Sequence, residues 1–222
     1  MSIQQNFQRI EAQLASSQCR LITVTKTQPV EALLEAYAAG SKCFGENKVQ
    51  EMATKYEQLP KDIEWHLIGH LQSNKVKFIA SFVSLIHSVD SLKLLQEINR
   101  QALKNDRVID CLLQMHIAQE ETKFGLSETE AKSLLQSTEL AELTNIRLVG
   151  LMGMATNTRD TEQIRQEFRA LKQSYDELSS LTQRANIAFR ELSMGMSGDY
   201  SIAIAEGSTL IRVGSAIFGD RK

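Results

Sequence analysis

Cysteine is scarce in this 222-residue chain, and Cys19, Cys43 and Cys111 are odd in number, scattered and without CxxC spacing. That pattern offers none of the common zinc or redox motifs and fits a reduced cytosol. Long apolar runs are missing too. The opening Met1-Ser2-Ile3-Gln4-Gln5-Asn6 lacks the apolar core of a secretion signal, and no later stretch is long enough to span a bilayer. A formal charge of -2, with both signs interspersed, gives no electrostatic case for nucleic acid or an anionic membrane. No linker rich in Pro, Gly or Ser divides the chain, and no GxGxxG turn follows the first strand, so a Rossmann dinucleotide site has little support. The expectation is a soluble cytoplasmic protein with one substantial core, a single domain over 1–222.

What the chain does have is alternation. Ile3, Phe7, Ile10 and Leu14 recur at helical spacing behind Ser2, a good N-cap, which predicts an amphipathic first helix acting as a lid or plug. Leu21-Ile22-Thr23-Val24-Thr25 favours an extended strand that stops at Lys26, and Pro29 suits the first turn of a helix. That helix would carry Leu33, Leu34, Tyr37 and Ala38 on one face and end at Gly40. The unit then repeats. Strands are predicted at 42–47, 64–69, 83–87, 109–117, 146–152, 191–194 and 209–213, with a helix after each of the first six, including one over 75–82, and a short one over 200–206. Ser91, the Ser127/Glu130 capping box and Asp160 mark helix starts. About eight strand-then-helix units demand parallel pairing and right-handed crossovers, and eight can close into a (β/α)8 barrel, an open doubly wound sheet being the alternative.

In such a barrel the chemistry lies at the carboxyl ends of the strands. Those ends hold Lys26, Asn47, His70, His87 with Ser88 and Asp90, Lys123, Met152, then Ser193, Met196 and Ser197, and finally Arg212, Gly214 and Ser215. A lysine among aliphatic walls loses solvent, which lowers its pKa and frees the amine to attack an aldehyde, against the plain reading of a solvated loop lysine. Ser193-Met194-Gly195-Met196-Ser197-Gly198-Asp199 and Gly207-Ser208-Thr209 with Arg212-Val213-Gly214-Ser215 are two glycine-serine turns that suit an anion, at the place where barrels commonly bind phosphate. An amine at one strand end and a phosphate cradle across the mouth suit a ligand with an aldehyde and a phosphate. Pyridoxal 5'-phosphate fits both, as does a sugar phosphate handled by a Schiff-base lysine.

The same residues carry a resemblance. Val24-Thr25-Lys26-Thr27, Phe44-Gly45-Glu46-Asn47-Lys48-Val49-Gln50-Glu51, Trp65-His66-Leu67-Ile68-Gly69-His70-Leu71-Gln72-Ser73-Asn74-Lys75, His87-Ser88-Val89-Asp90-Ser91 and Gly150-Leu151-Met152 recur in order. The most specific part is Leu192-Ser193-Met194-Gly195-Met196-Ser197-Gly198-Asp199 with Gly207-Ser208-Thr209-Leu210-Ile211-Arg212-Val213-Gly214-Ser215-Ala216-Ile217-Phe218-Gly219. With these motifs the chain resembles the pyridoxal phosphate homeostasis protein family, small barrel relatives of the amino-terminal domain of alanine racemase. The resemblance implies a fold-type III TIM-like barrel with an extra N-terminal helix and pyridoxal phosphate (PLP) as cofactor, Lys26 forming the Schiff base. It implies that Arg212 faces the pyridine nitrogen, that Ser197 and the backbone of Gly214 and Ser215 hold the phosphate, and that Asn47, Met152, Ser193 and Met196 lie beside the ring.

The function this implies is a PLP carrier or buffer in vitamin B6 and amino-acid homeostasis, handing the cofactor to apo-enzymes without robust catalysis of its own. An always-cationic arginine makes a weak electron sink of the ring, and no second domain supplies the tyrosine a two-base racemase uses. Tyr200 is the one tyrosine near the phosphate loop to test. The runner-up is a weak PLP-dependent amino-acid racemase, and a protein-binding adaptor remains a third class. No catalytic residue and no metal ligand is assigned: His66 and His70 straddle a strand-to-loop junction where their spacing does not converge. His70 and His87 are expected at the rim and His116 in core or rim. Lys123 is the rival to Lys26 for the aldehyde, Met154 and Met194 are packing or ring contacts, and polar helix faces point to a monomer.

Overall fold

The computed structural model describes residues 2–119, 124–181 and 184–219. Eight parallel strands form a ring in chain order: β1 (Arg20–Val24), β2 (Cys43–Glu46), β3 (Glu64–Leu67), β4 (Leu85–Val89), β5 (Ile109–Gln114), β6 (Ile146–Met152), β7 (Ile187–Met196) and β8 (Leu210–Val213). The register from Arg20↔Leu210 to Thr23↔Val213 pairs β1 with β8 and closes the barrel, so the doubly wound alternative falls away. A strand covered on both faces is buried along its whole length, and β4 is buried at every position, including His87 and Ser88.

The helices are α1 (Ile3–Leu14), α2 (Val30–Ala38), α3 (Val49–Gln58), α4 (Leu92–Lys104), α5 (Glu128–Gln136), α6 (Thr138–Ala141), α7 (Thr161–Ser180), α8 (Tyr200–Ala205) and α9 (Ser215–Phe218). Side-chain caps start four of them where expected. Ser2 and Ser127 form capping boxes with Gln5 and Glu130, Ser91 accepts from Leu94 N–H, and Asp160 accepts from Glu162 and Gln163 N–H.

Several expectations change, and among them β4 runs over 85–89 and β5 over 109–114 rather than 83–87 and 109–117. In α2, Leu33 and Ala36 are buried, while Leu34 is 43% exposed and Ala38 is exposed, because a nine-residue helix turns only a narrow stripe to the sheet. The predicted helix over 75–82 is instead a 3₁₀ segment, Ser73–Phe78, packed against α3 and α4, with Val76 and the following Ile79 and Ala80 buried. Strand β7 begins at Ile187 rather than 191, since its first four residues alternate between half-buried and exposed and read as polar.

Helix α1 is neither lid nor plug. Its Phe7, Ile10 and Leu14 pack with Cys19, Leu21, Ile211, Val213 and Ile217 on the outer wall of β1 and β8. Helix α9 after β8 is only four residues long, and α1 packs beside it over this wall. At about 1.5–3 kcal/mol for each large apolar side chain removed from water, α1 is a stabilising wall. Inside the ring, Ile22, Leu85, Leu112, Val149, Met152 and Leu210 come from five strands and touch one another, which only the barrel interior permits. No described helix is long and apolar enough to cross a membrane.

Candidate cofactor site

Lys26 stands two residues beyond β1, in a tight turn closed by Gln28 N–H donating to Thr25 C=O at 3.1 Å. Thr27 follows with a φ of 64°, a left-handed conformation that is uncommon for a β-branched residue. Asn47 leaves β2 at the same level, and Gly69 after β3 lets the two backbones close up. A Cβ there would lie 2.4 Å from Asn47 O, which no other residue could accommodate without moving Asn47.

Arg212 is set on β8 and is only 4% exposed. Its Nη1 donates to Ser193 Oγ at 2.6 Å and its Nη2 to Gly153 C=O at 3.0 Å. Burial brings its pKa down to about 10, with the charge of Asp199 acting against the shift, so the guanidinium stays cationic at neutral pH. Beyond β7, Ser197 Oγ accepts from Gly214 N–H at 3.2 Å and from Ala216 N–H at 3.4 Å, while Asp199 Oδ1 accepts from Met196 N–H at 2.5 Å. Hydroxyl and amide hydrogens therefore gather at the start of α9, an arrangement suited to anionic oxygens.

These groups share one cleft of about 270 Å³ at the carboxyl ends of the strands. It brings together seven of the nine expected residues: Lys26, Asn47, Met196, Ser197, Arg212, Gly214 and Ser215. Val24, Ile68, Met154 and Gly198 complete its lining. Gly198 has open space where a Cβ would be. Met152 is not part of the wall; it is fully buried in the barrel interior, and Met154, two residues on, takes the surface position. Ser193 is fully buried behind the wall, where it holds Arg212.

The expected layout across the mouth is corrected by the closure of the ring. Because β8 pairs with β1, the ends of β7, β8, β1 and β2 are consecutive, and amine, guanidinium and anion cradle occupy one arc. A larger cavity of about 620 Å³ lies at the opposite end, between α1 and the starts of β1 and β2, and contains none of the nine.

Behind Arg212 a polar chain crosses the barrel. Ser193 Oγ lies 2.9 Å from His87 Nδ1, and His87 Nε2 lies 3.0 Å from His66 Nδ1. Both imidazoles are buried, which corrects the expectation of His87 as a rim residue: it sits on the inward face of β4, facing Ser193. Desolvation lowers the pKa of His66 to about 3 and holds His87 well below its ordinary value, so both are neutral. His70 does lie at the rim, 3.6 Å from Asp90 and stacked on Phe124, and His116 is exposed. Lys123 lies outside the described residues.

At the amino ends of the strands Cys43, Glu64 and His66 bring ligand-type atoms within 4.8 Å of one another, a convergence that the sequence spacing of the histidines did not suggest. Arg20 stands beside them, 3.9 Å from Glu64, and provides a positive charge of the kind an ion would bring. Tyr200 turns from the cleft: its hydroxyl donates to Gln13 Oε1 of α1 at 2.7 Å. Tyr37 donates to Asp62, Tyr56 stacks on Phe82, and Tyr175 packs on Phe189. Among the described residues, then, no tyrosine lines the cleft.

Residues 1–222 match the family described as "Alanine racemase, N-terminal domain". The pyridoxal phosphate homeostasis protein of Aquifex aeolicus is 43% identical over 204 residues, covering 91% of this chain and 87% of that one. Its counterpart in Vibrio alginolyticus is 38% identical over 237 residues, with 99% and 98% covered. Among solved structures, PipY of Synechococcus elongatus PCC7942 with PLP bound superposes with a TM-score of 0.88 at 35% identity, covering 98% of this chain and 100% of that one. The alanine racemase of Bartonella henselae, at 16% identity and a TM-score of 0.71, shares the fold, this chain spanning 58% of it.

Proposed function

The chain belongs to the pyridoxal phosphate homeostasis protein family, and from that premise we propose that it binds PLP in the cleft at the ends of β7, β8, β1 and β2 as a carrier of the cofactor. The observation that carries the reading is the convergence of Lys26, buried Arg212 and the Ser197 cradle on a single cleft. Each meets one part of the ligand: the lysine amine the aldehyde, the guanidinium the pyridine nitrogen, and the serine hydroxyl with the nearby N–H groups the phosphate. Ser193 and Gly153 fix the guanidinium from behind, and Met154, Met196 and Ile68 offer apolar surface for the ring. When bound, PLP supplies a carbonyl that a primary amine can capture reversibly.

Robust catalysis is not part of the proposal. A cationic arginine cannot readily give the ring nitrogen a proton, which weakens the ring as an electron sink. The Tyr200 hydroxyl, which the sequence put forward as a second base, is engaged with Gln13. A chain that holds PLP without consuming it suits cofactor supply, with apo-enzymes as recipients and vitamin B6 and amino-acid balance as the physiological reach.

The test is spectroscopic. The purified protein, offered PLP, is expected to show a Schiff-base band near the violet edge of the visible, and Lys26→Ala is expected to lose it. Borohydride reduction and peptide mapping should place the label on Lys26; a label mainly on Lys123, or a variant that keeps the band, would overturn the assignment. Rapid exchange of the α-proton of L- or D-alanine in deuterated water would move the reading to a racemase.

A further inference from the structure

Lys26 lies in a turn just past β1, and the peptides on both sides of it are tied to the body of the barrel. On the near side, Thr25 N–H donates to Gly45 C=O at 3.0 Å and Thr25 Oγ1 donates to Glu46 Oε1 at 2.6 Å. Thr25 C=O accepts from Lys55 Nζ at 2.8 Å. On the far side, Thr27 N–H donates to Glu51 Oε1 at 2.6 Å. The two sides meet at Lys55, whose ammonium also donates to Glu46 Oε1 and to Glu51 Oε1, each at 2.7 Å. Three charged residues from the end of β2 and from one face of α3 thus grip the turn that carries the lysine.

Two observations say that this grip serves something other than stability. Thr27 sits at the third position of the turn with positive φ, where glycine or asparagine is favoured, so the turn holds a conformation its own sequence resists. Glu46 is fully buried with Oε2 unpartnered, and burial raises its pKa although Lys55 and Thr25 act to lower it. Buried ion pairs of this kind often stabilise less than apolar side chains of the same shape. The network is costly to keep, and its hydrogen bonds are addressed to the two neighbours of Lys26.

We propose that Lys55, Glu46 and Glu51 are positioning residues that clamp the Thr25–Thr27 turn so that the Lys26 amine is held toward the cleft, and that this clamp sets how long the protein retains its cofactor. The inference rests on Lys26 as the residue that captures PLP. Without the tie from Glu51, Thr27 relaxes out of its left-handed conformation and the lysine's direction is no longer fixed. Retention then falls even where the fold survives.

The experiment compares wild type, Glu51→Ala, Glu51→Gln, and Glu51→Ala combined with Thr27→Gly. Leu135→Ala, a fully buried position on α5, serves as a control for general destabilisation. In the cofactor-free protein, hydrogen exchange of the Thr27 amide reports the tie directly and should accelerate in Glu51→Ala. In the loaded protein, transfer of PLP to an excess of a scavenging amine should speed up on the order of tenfold in Glu51→Ala, as loss of one charge-assisted hydrogen bond allows. Glu51→Gln, which keeps an acceptor oxygen, should stay near wild type. Thr27→Gly should rescue Glu51→Ala, because glycine adopts the turn without the tie. The proposal is overturned if Glu51→Ala loses PLP no faster than wild type, or no faster than Leu135→Ala. It is also overturned if Thr27→Gly gives no rescue. Wild type that takes up no PLP, with a protected Thr27 amide, would refute the site reading instead.

Discussion

Acid should destabilise this barrel through its interior before it reaches the surface carboxylates, and His66 allows the size of the effect to be worked out. Desolvation holds its pKa at about 3, against 6.5 for an ordinary histidine. The unfolded chain therefore takes up a proton near pH 6.5 that the folded chain refuses until about pH 3. The resulting stability is complete above pH 6.5 and is lost as the pH falls toward 3, at about 1.4 kcal/mol for each pH unit well inside that window. Between pH 7 and pH 5 the loss from His66 alone is about 2 kcal/mol, a sizeable share of the 5–15 kcal/mol typical of a domain. His87 acts in the same direction, chiefly by desolvation, with the Arg212 charge and the neighbouring His66 adding to the shift. Glu46 acts oppositely, since burial raises its carboxyl pKa and its contribution grows as the pH falls. A difference between variants isolates the histidine. Urea unfolding followed by the emission of Trp65, the one tryptophan and fully buried, gives the stability of wild type and His66→Asn at both pH values. The asparagine amide keeps a partner near His87 Nε2 and cannot titrate. His66→Asn should be weaker at pH 7, yet lose about 2 kcal/mol less than wild type on going to pH 5. An equal loss in both proteins would refute the claim that this imidazole is kept neutral by burial.

Two further outcomes follow from the geometry. Ser193→Ala should cost about 2–4 kcal/mol in urea unfolding, because it leaves both a buried Arg212 N–H and His87 Nδ1 without their partner, and an unchanged midpoint would contradict the polar chain. Gly195→Ala should cost about 2 kcal/mol or more in thermal or urea unfolding, since φ is +96° and the added Cβ would lie 2.6 Å from Ala203 Cβ; a stable, unaltered variant would show that this turn is not fixed as described.

The strands and helices were legible where one physical signal dominated. Ser2, Ser91, Ser127 and Asp160 start helices because their side chains can accept the first free N–H groups, a rule local enough to read from four residues. Strand β6, apolar apart from Arg147 and Gly150, was expected at 146–152 and occurs as Ile146–Met152. The opening of β7 escaped because Arg190 and Ala188 face outward there, and half-exposed strand looks like loop to any count of apolar residues. In the cleft, Lys26, Asn47, Ser197 and Arg212 could be found by asking which polar residues end strands. Met152 and Met154 could not be ordered, because strand alternation carries through a bulge only when its position is known, and β6 shifts register against β7 between Leu148 and Gly150. His66, His87, Lys55 and Glu46 were beyond reach for another reason. Their partners lie on other elements, so only the folded arrangement shows them as neighbours, and His87 meets Ser193 only because the ring closes.

That same closure sets a schedule for assembly. Two of the four strands that frame the cleft are the first made in the chain and two are the last, so the amine waits for the guanidinium through nearly the whole length of synthesis. A nascent chain carries Lys26 early but completes the cleft with Arg212, Gly214 and Ser215 only when the final strand docks. Under the proposed function, uptake of the vitamin would report a finished barrel, and a lesion that keeps the last strand from seating, however remote from the cleft, would give a chain unable to take colour.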